Sequence, residues 1–135
     1  MTGDMNLATL FQTMEPVLNA GRFGFAVLED RAKLAELDPI MSFQEAEGIT
    51  VILPWEDAAA SGRSPEFESC WITLNVQSAL EAVGFLAHIA TRLAALKMVV
   101  NPVAGYHHDH LFLPYDRAAD AMAELKKIVA EARAA

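Results

Sequence analysis

One cysteine, Cys70, stands in a chain of 135 residues. No intrachain disulfide can form from it, nothing marks an oxidising compartment, and the cytoplasm is the expected location. Positive charge is scarce too: 10 Lys and Arg are set against 18 Asp and Glu, a formal net charge of -8, with no basic stripe interleaved with aromatics. A phosphate backbone would be repelled, so no nucleic-acid partner is expected. Uninterrupted apolar runs are missing as well. The most apolar stretch, Ala79 to Leu96, carries Glu81, His88 and Arg92 near one helical face, which is too costly for a lipid-facing span, so no membrane partner is expected. At the opening, Asp4 stands where a signal peptide would place Lys or Arg, and Gln12 and Thr13 break the apolar stretch, so nothing there directs export. Gly/Ser tracts and blocks of like charge are also absent. With 53% hydrophobic and 21% charged residues, the chain reads as folded throughout, as one compact unit or two small ones sharing a core.

The motifs of common chemistries are lacking. There is no CxxC, no HExxH and no nucleophile elbow, and Cys70 falls inside a predicted strand with no base beside it in sequence, the setting of an inert buried thiol.

What is present is hydrophobic periodicity. Leu7, Leu10, Phe11 and Met14 recur at helical spacing up to Pro16, and Asn19-Ala20-Gly21 reads as a turn before a strand over Arg22 to Leu28. Glu29 to Glu45 carries no clear period. Glu47 to Pro54 is β-branched and ends at proline, a second strand; Trp55 to Gly62 is a helical turn or loop. Ser61 to Pro65 marks the best boundary, dividing the chain into halves 1–62 and 63–135. In the second half, Cys70 to Val76 alternates as a strand and runs into Ser78-Ala79-Leu80-Glu81, the spacing of a capping box, which predicts a helix from Ala79. Its apolar stripe is Leu80, Val83, Leu86, Ala87, Ala90, Leu93 and Ala94. Strands follow over Met98 to Gly105, interrupted by Pro102, and over His110 to Tyr115. The closing helix, from Arg117, turns Ala118, Met122, Leu125 and Val129 inward. The order strand-helix-strand-strand-helix is an α+β, ferredoxin-like arrangement lacking its last strand, so a strand of the first half or of a neighbouring subunit must cover the open edge.

Gly84, Leu86, Ile89 and Leu93, followed by Lys97-Met98-Val99-Val100, resemble the Gly-x-Leu-x-x-Ile-x-x-x-Leu-x-x-x-Gly-Ile-Asn-Ile signature of ACT domains, with Lys97 where that signature carries glycine. Glu45 to Thr50 (EAEGIT) and Asn101 to Pro114 (NPVAGYHHDHLFLP) are similar to the signatures of small stand-alone bacterial ACT-domain proteins built from two ACT-like halves. The resemblance implies a βαββα arrangement in each half, with antiparallel sheets shared between them. It also implies a regulatory theme rather than a reaction: a small-molecule effector, with an amino acid as first candidate, bound where the loop after the first strand meets the second strand of a neighbouring ACT unit. Carried onto this sequence, those segments are Asn75 to Gly84 and Met98 to Ala104. Asn75, Gln77, Ser78 and Asn101 there offer the donors and acceptors a zwitterion needs. The plainer reading leaves Asn75 and Gln77 solvent-facing at a strand end and gives Ser78 only the cap.

Tyr106-His107-His108-Asp109-His110 is the densest polar cluster. In an extended strand His108 and His110 project to one face, His107 and Asp109 to the other, so they do not converge by themselves on a metal. Three readings stay open: ligand contact through Tyr106, His107, His108 and Asp109; a polar hairpin in which Asp109 bonds its own turn backbone above a packed histidine; and a metal site completed from elsewhere in the fold. The expectation taken forward is a non-enzymatic, ACT-type regulatory module, without cofactor, acting as a homodimer. Its alternatives are a small metal-assisted enzyme built on the Tyr106–His110 loop and a purely structural interaction module.

Overall fold

The computed structural model describes residues 6–76 and 82–135. The elements in chain order are α1 (Leu7–Thr13), β1 (Glu15–Leu28), α2 (Lys33–Leu37), β2 (Met41–Gln44), β3 (Ile49–Pro54), α3 (Trp55–Ala60), β4 (Glu66–Asn75), α4 (Phe85–Ala95), β5 (Asn101–Ala104), β6 (Asp109–Pro114), a 3₁₀ turn (Tyr115–Arg117) and α5 (Ala118–Ala134). The strands form one six-stranded antiparallel sheet in the order β2-β3-β1-β4-β6-β5. After α1 the chain runs β-α-β-β-α twice, from β1 to α3 and from β4 to α5, as expected of two ACT-like halves. The open flank of β4 is taken by β1, so a strand of the first half closes the edge that the second half leaves free.

The two copies of the motif share one register. In the first, Met41 faces Ile52, Phe43 faces Thr50 and Gln44 faces Ile49; in the second, Asn101 faces Phe112, Val103 faces His110 and Ala104 faces Asp109. Each hairpin closes alike, with Glu45 N donating to Gly48 O at 2.9 Å and Gly105 N to His108 O at 2.9 Å. A Cβ on Gly105 would come within 2.8 Å of that His108 oxygen, so the second turn requires glycine.

By contacts the chain divides into two compact units, residues 21–69 and residues 1–20 with 70–135. In the unit of residues 21–69, Leu28, Ile49, Val51, Leu53 and Ala58 form the core, with Ala26, Leu34 and Leu37 packed on it. The segment without a clear period resolves into α2, stopped by Asp38 in the left-handed region (φ 46), and the short strand β2. Asn19-Ala20-Gly21 is no turn: it lies inside the 14-residue β1. The polar signal misled because the Asn19 amide is used across the sheet, donating to Trp71 O at 3.2 Å and Thr73 Oγ1 at 2.9 Å.

In the other unit, β4 and β6 turn Cys70, Ile72, Leu74, Leu111 and Leu113 toward α1, α4 and α5. The helix α4 begins at Phe85 rather than Ala79; Ala82 to Gly84 are not helical, and the proposed cap at Ser78 and Glu81 lies outside the described residues. Gly84 explains the late start, since its φ of 93 belongs to no helix. The phase of the stripe changes with it: Phe85, Ile89 and Leu93 are buried, whereas Ala87 and Ala94 are exposed and Val83 is 81% exposed. On α5 the buried set is Ala121, Leu125, Ile128 and Val129, with Ala118 and Met122 only partly covered. Lys97 keeps the left-handed turn that the ACT signature assigns to glycine, at φ 62, a conformation costing a non-glycine residue roughly 1–2 kcal/mol. Arg92 ties α4 to α5 by bonding Glu124 at 2.7 Å and Glu131 at 2.9 Å, so the charge predicted on one helical face is used in a clamp. Among the described residues no helix is long and apolar enough to cross a membrane.

The corrected phase of α4 is testable. Ile89→Ala should lower unfolding stability by about 2–5 kcal/mol, the range for emptying a packed core position, while Val83→Ala should stay within about 0.5 kcal/mol. Urea denaturation of both variants checks this, and equal losses would restore the stripe through Val83.

Candidate functional site

Alternation along β4 and β6 decides what faces what. With Cys70, Ile72 and Leu74 inward, Trp71, Thr73 and Asn75 fall on the opposite face of β4; with Leu111 and Leu113 inward, His110 and Phe112 share that face on β6. The indole N–H of Trp71 donates to His110 Nδ1 at 3.0 Å, and the Thr73 hydroxyl lies 3.1 Å from the same nitrogen. Indole can only donate, so Nδ1 is an acceptor and the imidazole proton sits on Nε2. Thr73 in turn accepts from Asn19, giving a chain of bonds Asn19–Thr73–His110–Trp71, and the Trp71 ring stacks on Phe112 at 6.1 Å. Burial first, and the field of His108 second, hold the His110 pKa below its ordinary value.

Asp109 leads β6 on the other face. It is half-buried, and among the described residues its carboxylate takes part in no hydrogen bond or ion pair, so it is not seen to bond its own turn. Burial raises its pKa, and only the nearby His108 draws it back. The Nδ1 of His108 lies 3.4 Å from the carbonyl oxygen of Val76, which brings the start of β6 alongside the end of β4. Asn75, Val76, His108 and Asp109 therefore gather at one end of the strands. Tyr106, 65% exposed, and His107 ride on the turn beside them, ring to ring at 5.0 Å. Asn101 is exposed at the far end of β5, opposite Phe112 and away from the hairpin. Gln77 and Ser78 lie outside the described residues. The ring centres of His107 and His108 are 6.4 Å apart, those of His108 and His110 6.5 Å, and among the described residues no three His, Cys, Asp or Glu side chains come together as metal ligands.

One group of residues was missed in the sequence. In the unit of residues 21–69 a cleft of about 420 Å³ is lined by Val27, Glu29, Asp30, Lys33, Ser61, Gly62 and Arg63. The repeat explains its place: Phe25 faces Ile52 and Val27 faces Thr50, just as Trp71 stacks on Phe112 and Thr73 bonds His110. Glu29 thus follows β1 as Asn75 ends β4. The signal was the acidic pair closing a strand in the half that shows the weaker helical period.

Residues 2–69 match the family model described as ACT domain. A Vibrio cholerae protein of unknown function, described as a possible transport protein, is 37% identical, with 91% of this chain and 95% of that one covered and a TM-score of 0.83. A protein from Agrobacterium tumefaciens (14% identity, 86% and 89% covered, TM-score 0.63) is similar in fold. So is the ligand-free regulatory subunit of aspartate kinase from Thermus thermophilus (10% identity, 86% and 96% covered, TM-score 0.62). No curated protein matches the chain.

The His110 network sets a pH dependence. Its folded pKa is depressed, so the unfolded chain takes up the proton more readily, and stability present above the ordinary value near 6.5 is lost as pH falls below it. Wild type should lose denaturation midpoint between about pH 7.5 and 5.5, and His110→Gln, which keeps an acceptor but cannot titrate, should lose less. Identical slopes would show that the imidazole does not report acid.

Proposed function

The chain belongs to the ACT-domain family, and on that premise we propose that it is a non-enzymatic regulatory module whose two repeats, 1–62 and 63–135, bind a small molecule, an amino acid in the first instance. Binding would be passed to a partner protein or through a homodimer. Aspartate kinase regulatory domains among the structural neighbours support a regulatory role through shared fold, at 10% and 13% identity.

The observation that carries this reading is Asp109. Its counterpart in the first repeat is Ile49, which is 3% exposed in a hydrophobic core. A half-buried carboxylate that, among the described residues, has no hydrogen bond and only the charge of His108 near it is costly at such a position in the empty protein. It is well suited to meet an ammonium group, with the Val76 carbonyl as a further acceptor at the same end of the strands. Tyr106, His107 and His108 border this end, and Asn101 is offered at the opposite end of β5 to a neighbouring unit.

The raised pKa fixes the sign. Stability is present below the ordinary carboxylate range and is lost as pH rises through the raised value, so at neutral pH the ionised Asp109 is a burden. Asp109→Asn should therefore raise the melting temperature at pH 7 while weakening effector binding about tenfold, the scale of one charge-assisted hydrogen bond. A thermal-shift screen of the common amino acids on both proteins measures the two effects together. A melting temperature lowered by the substitution, or an unchanged response to every amino acid that shifts wild type, would remove Asp109 from the site.

A further inference from the structure

The helix α5 carries its charges on two edges. Glu124 and Glu131 lie two turns apart on one of them, and both bond Arg92 of α4. Lys126 and Arg133 have the same spacing but come two residues later, about 200° around the helix, which puts them on the opposite edge. There no carboxylate answers them. Among the described residues neither takes part in an ion pair, whereas Arg22, Arg92 and Arg117 are each paired with an acid. Arg133 is held instead by a backbone group: its Nε donates to Gln12 O at 2.8 Å, at the end of α1, and the Gln12 side chain donates back to Ala132 O at 3.2 Å. The guanidinium is thus fixed with its charge intact, and its two terminal nitrogens have no hydrogen-bond partner among the described residues.

This basic edge borders a cleft of about 320 Å³ between α5 and the junction of α1 with β1. The buried lining residues Met14, Pro16 and Val129 give the cleft an apolar base, and the exposed Lys126, Arg133 and Glu15 give it two positive charges and one negative. Thr13 adds no donor, because its hydroxyl proton goes to Thr9 O at 2.8 Å. We propose that this cleft is a binding site for a small apolar monocarboxylate, an acid with no ammonium group, whose carboxylate meets Arg133 and Lys126 and whose hydrocarbon body lies on Met14, Pro16 and Val129. A guanidinium matches a carboxylate with two parallel N–H groups, and one held at Nε presents them without losing further side-chain freedom. A single negative charge balances the cleft; a second would meet Glu15 with no cation left to answer it, which selects monoacids over diacids. In a chain of net charge -8, only such a local excess of positive charge draws an acid in. The site shares no residue with the Asp109 end and does not depend on the effector proposed there.

Titration calorimetry of the full chain at pH 7 with isobutyrate, benzoate and succinate, and with isobutyramide and benzamide as uncharged counterparts, supplies the test. Isobutyrate or benzoate should bind, its amide should bind at least about tenfold more weakly, and succinate should bind more weakly than the better monoacid. Lys126→Gln, at an exposed side chain with no bond among the described residues, should weaken the monoacid about tenfold, and Arg133→Gln at least as much. Glu15→Gln should tighten binding severalfold, a change of sign that a merely structural role would not produce. Asp109→Asn should leave the affinity as it is, and near-ultraviolet circular dichroism confirms that each variant is folded. Silence of both monoacids, equal binding of the amides, or succinate binding as tightly as the monoacid would overturn the site. So would an affinity undiminished in Lys126→Gln or weakened in Glu15→Gln, and binding lost in Asp109→Asn would move the acid to the other end of the unit.

Discussion

Each β-α-β-β-α repeat leaves one flank of its first strand unpaired, and an unpaired flank is a row of N–H and C=O groups that must find partners. The sheet order resolves this by setting β1 beside β4, so that each repeat closes the other. Much else depends on that adjacency. It is why β1 runs 14 residues, longer than any other strand, and why Asn19 at its middle is spent on Trp71 and Thr73. Through Thr73 the same bond reaches His110, so the closing of the edge and the orientation of the imidazole are parts of one network.

A shared register with unlike side chains is how one backbone plan yields two different ends. Thr50 in the first repeat becomes His110 in the second, and Ile49 becomes Asp109. The first repeat fills its core at that position and keeps its charges on the loop after β1. The second brings a carboxylate to the core position and leaves polar but uncharged Asn75 at the end of β4. Local strain follows the same division: Gly105 is required by the second hairpin, and Lys97 holds a left-handed turn before β5 where glycine would cost less.

The fold was largely legible because periodicity in the second half is strong. Alternation over Cys70 to Val76 and over His110 to Tyr115, and the helical spacing toward the C-terminus, found β4, β6 and α5 to within a few residues. Two things mislead here: polarity that tertiary bonds claim, and a glycine backbone angle. Asn19-Ala20-Gly21 looked like a turn and is strand because Asn19 bonds across the sheet. The helix read from Ala79 begins at Phe85 because Gly84 takes a backbone angle that no side-chain pattern reveals. At the candidate site, the histidine cluster showed where to look but not what faced what. That His110 is fixed by a tryptophan 39 positions away, and that the Asp109 carboxylate has no hydrogen bond among the described residues, are facts of pairing. The Glu29–Arg63 cleft escaped notice because its residues lie on two loops that only the fold brings together.

The same pairing explains why the acceptor end at Asp109 is well defined although it lies next to a hairpin. In a strand, a slip of one residue exchanges the faces of every side chain, and β5 contributes only four residues to hold β6 in place. The His110 bonds supply the missing specification: Nδ1 meets Trp71 and Thr73 only in one register, and a slip would leave the indole N–H and the imidazole without partners in a half-buried site, at roughly 1–3 kcal/mol for each orphaned group. Fixing His110 on one face fixes Asp109 on the other. The neutral imidazole need not touch a ligand to matter to it, because its place in the sheet decides where the Asp109 carboxylate stands.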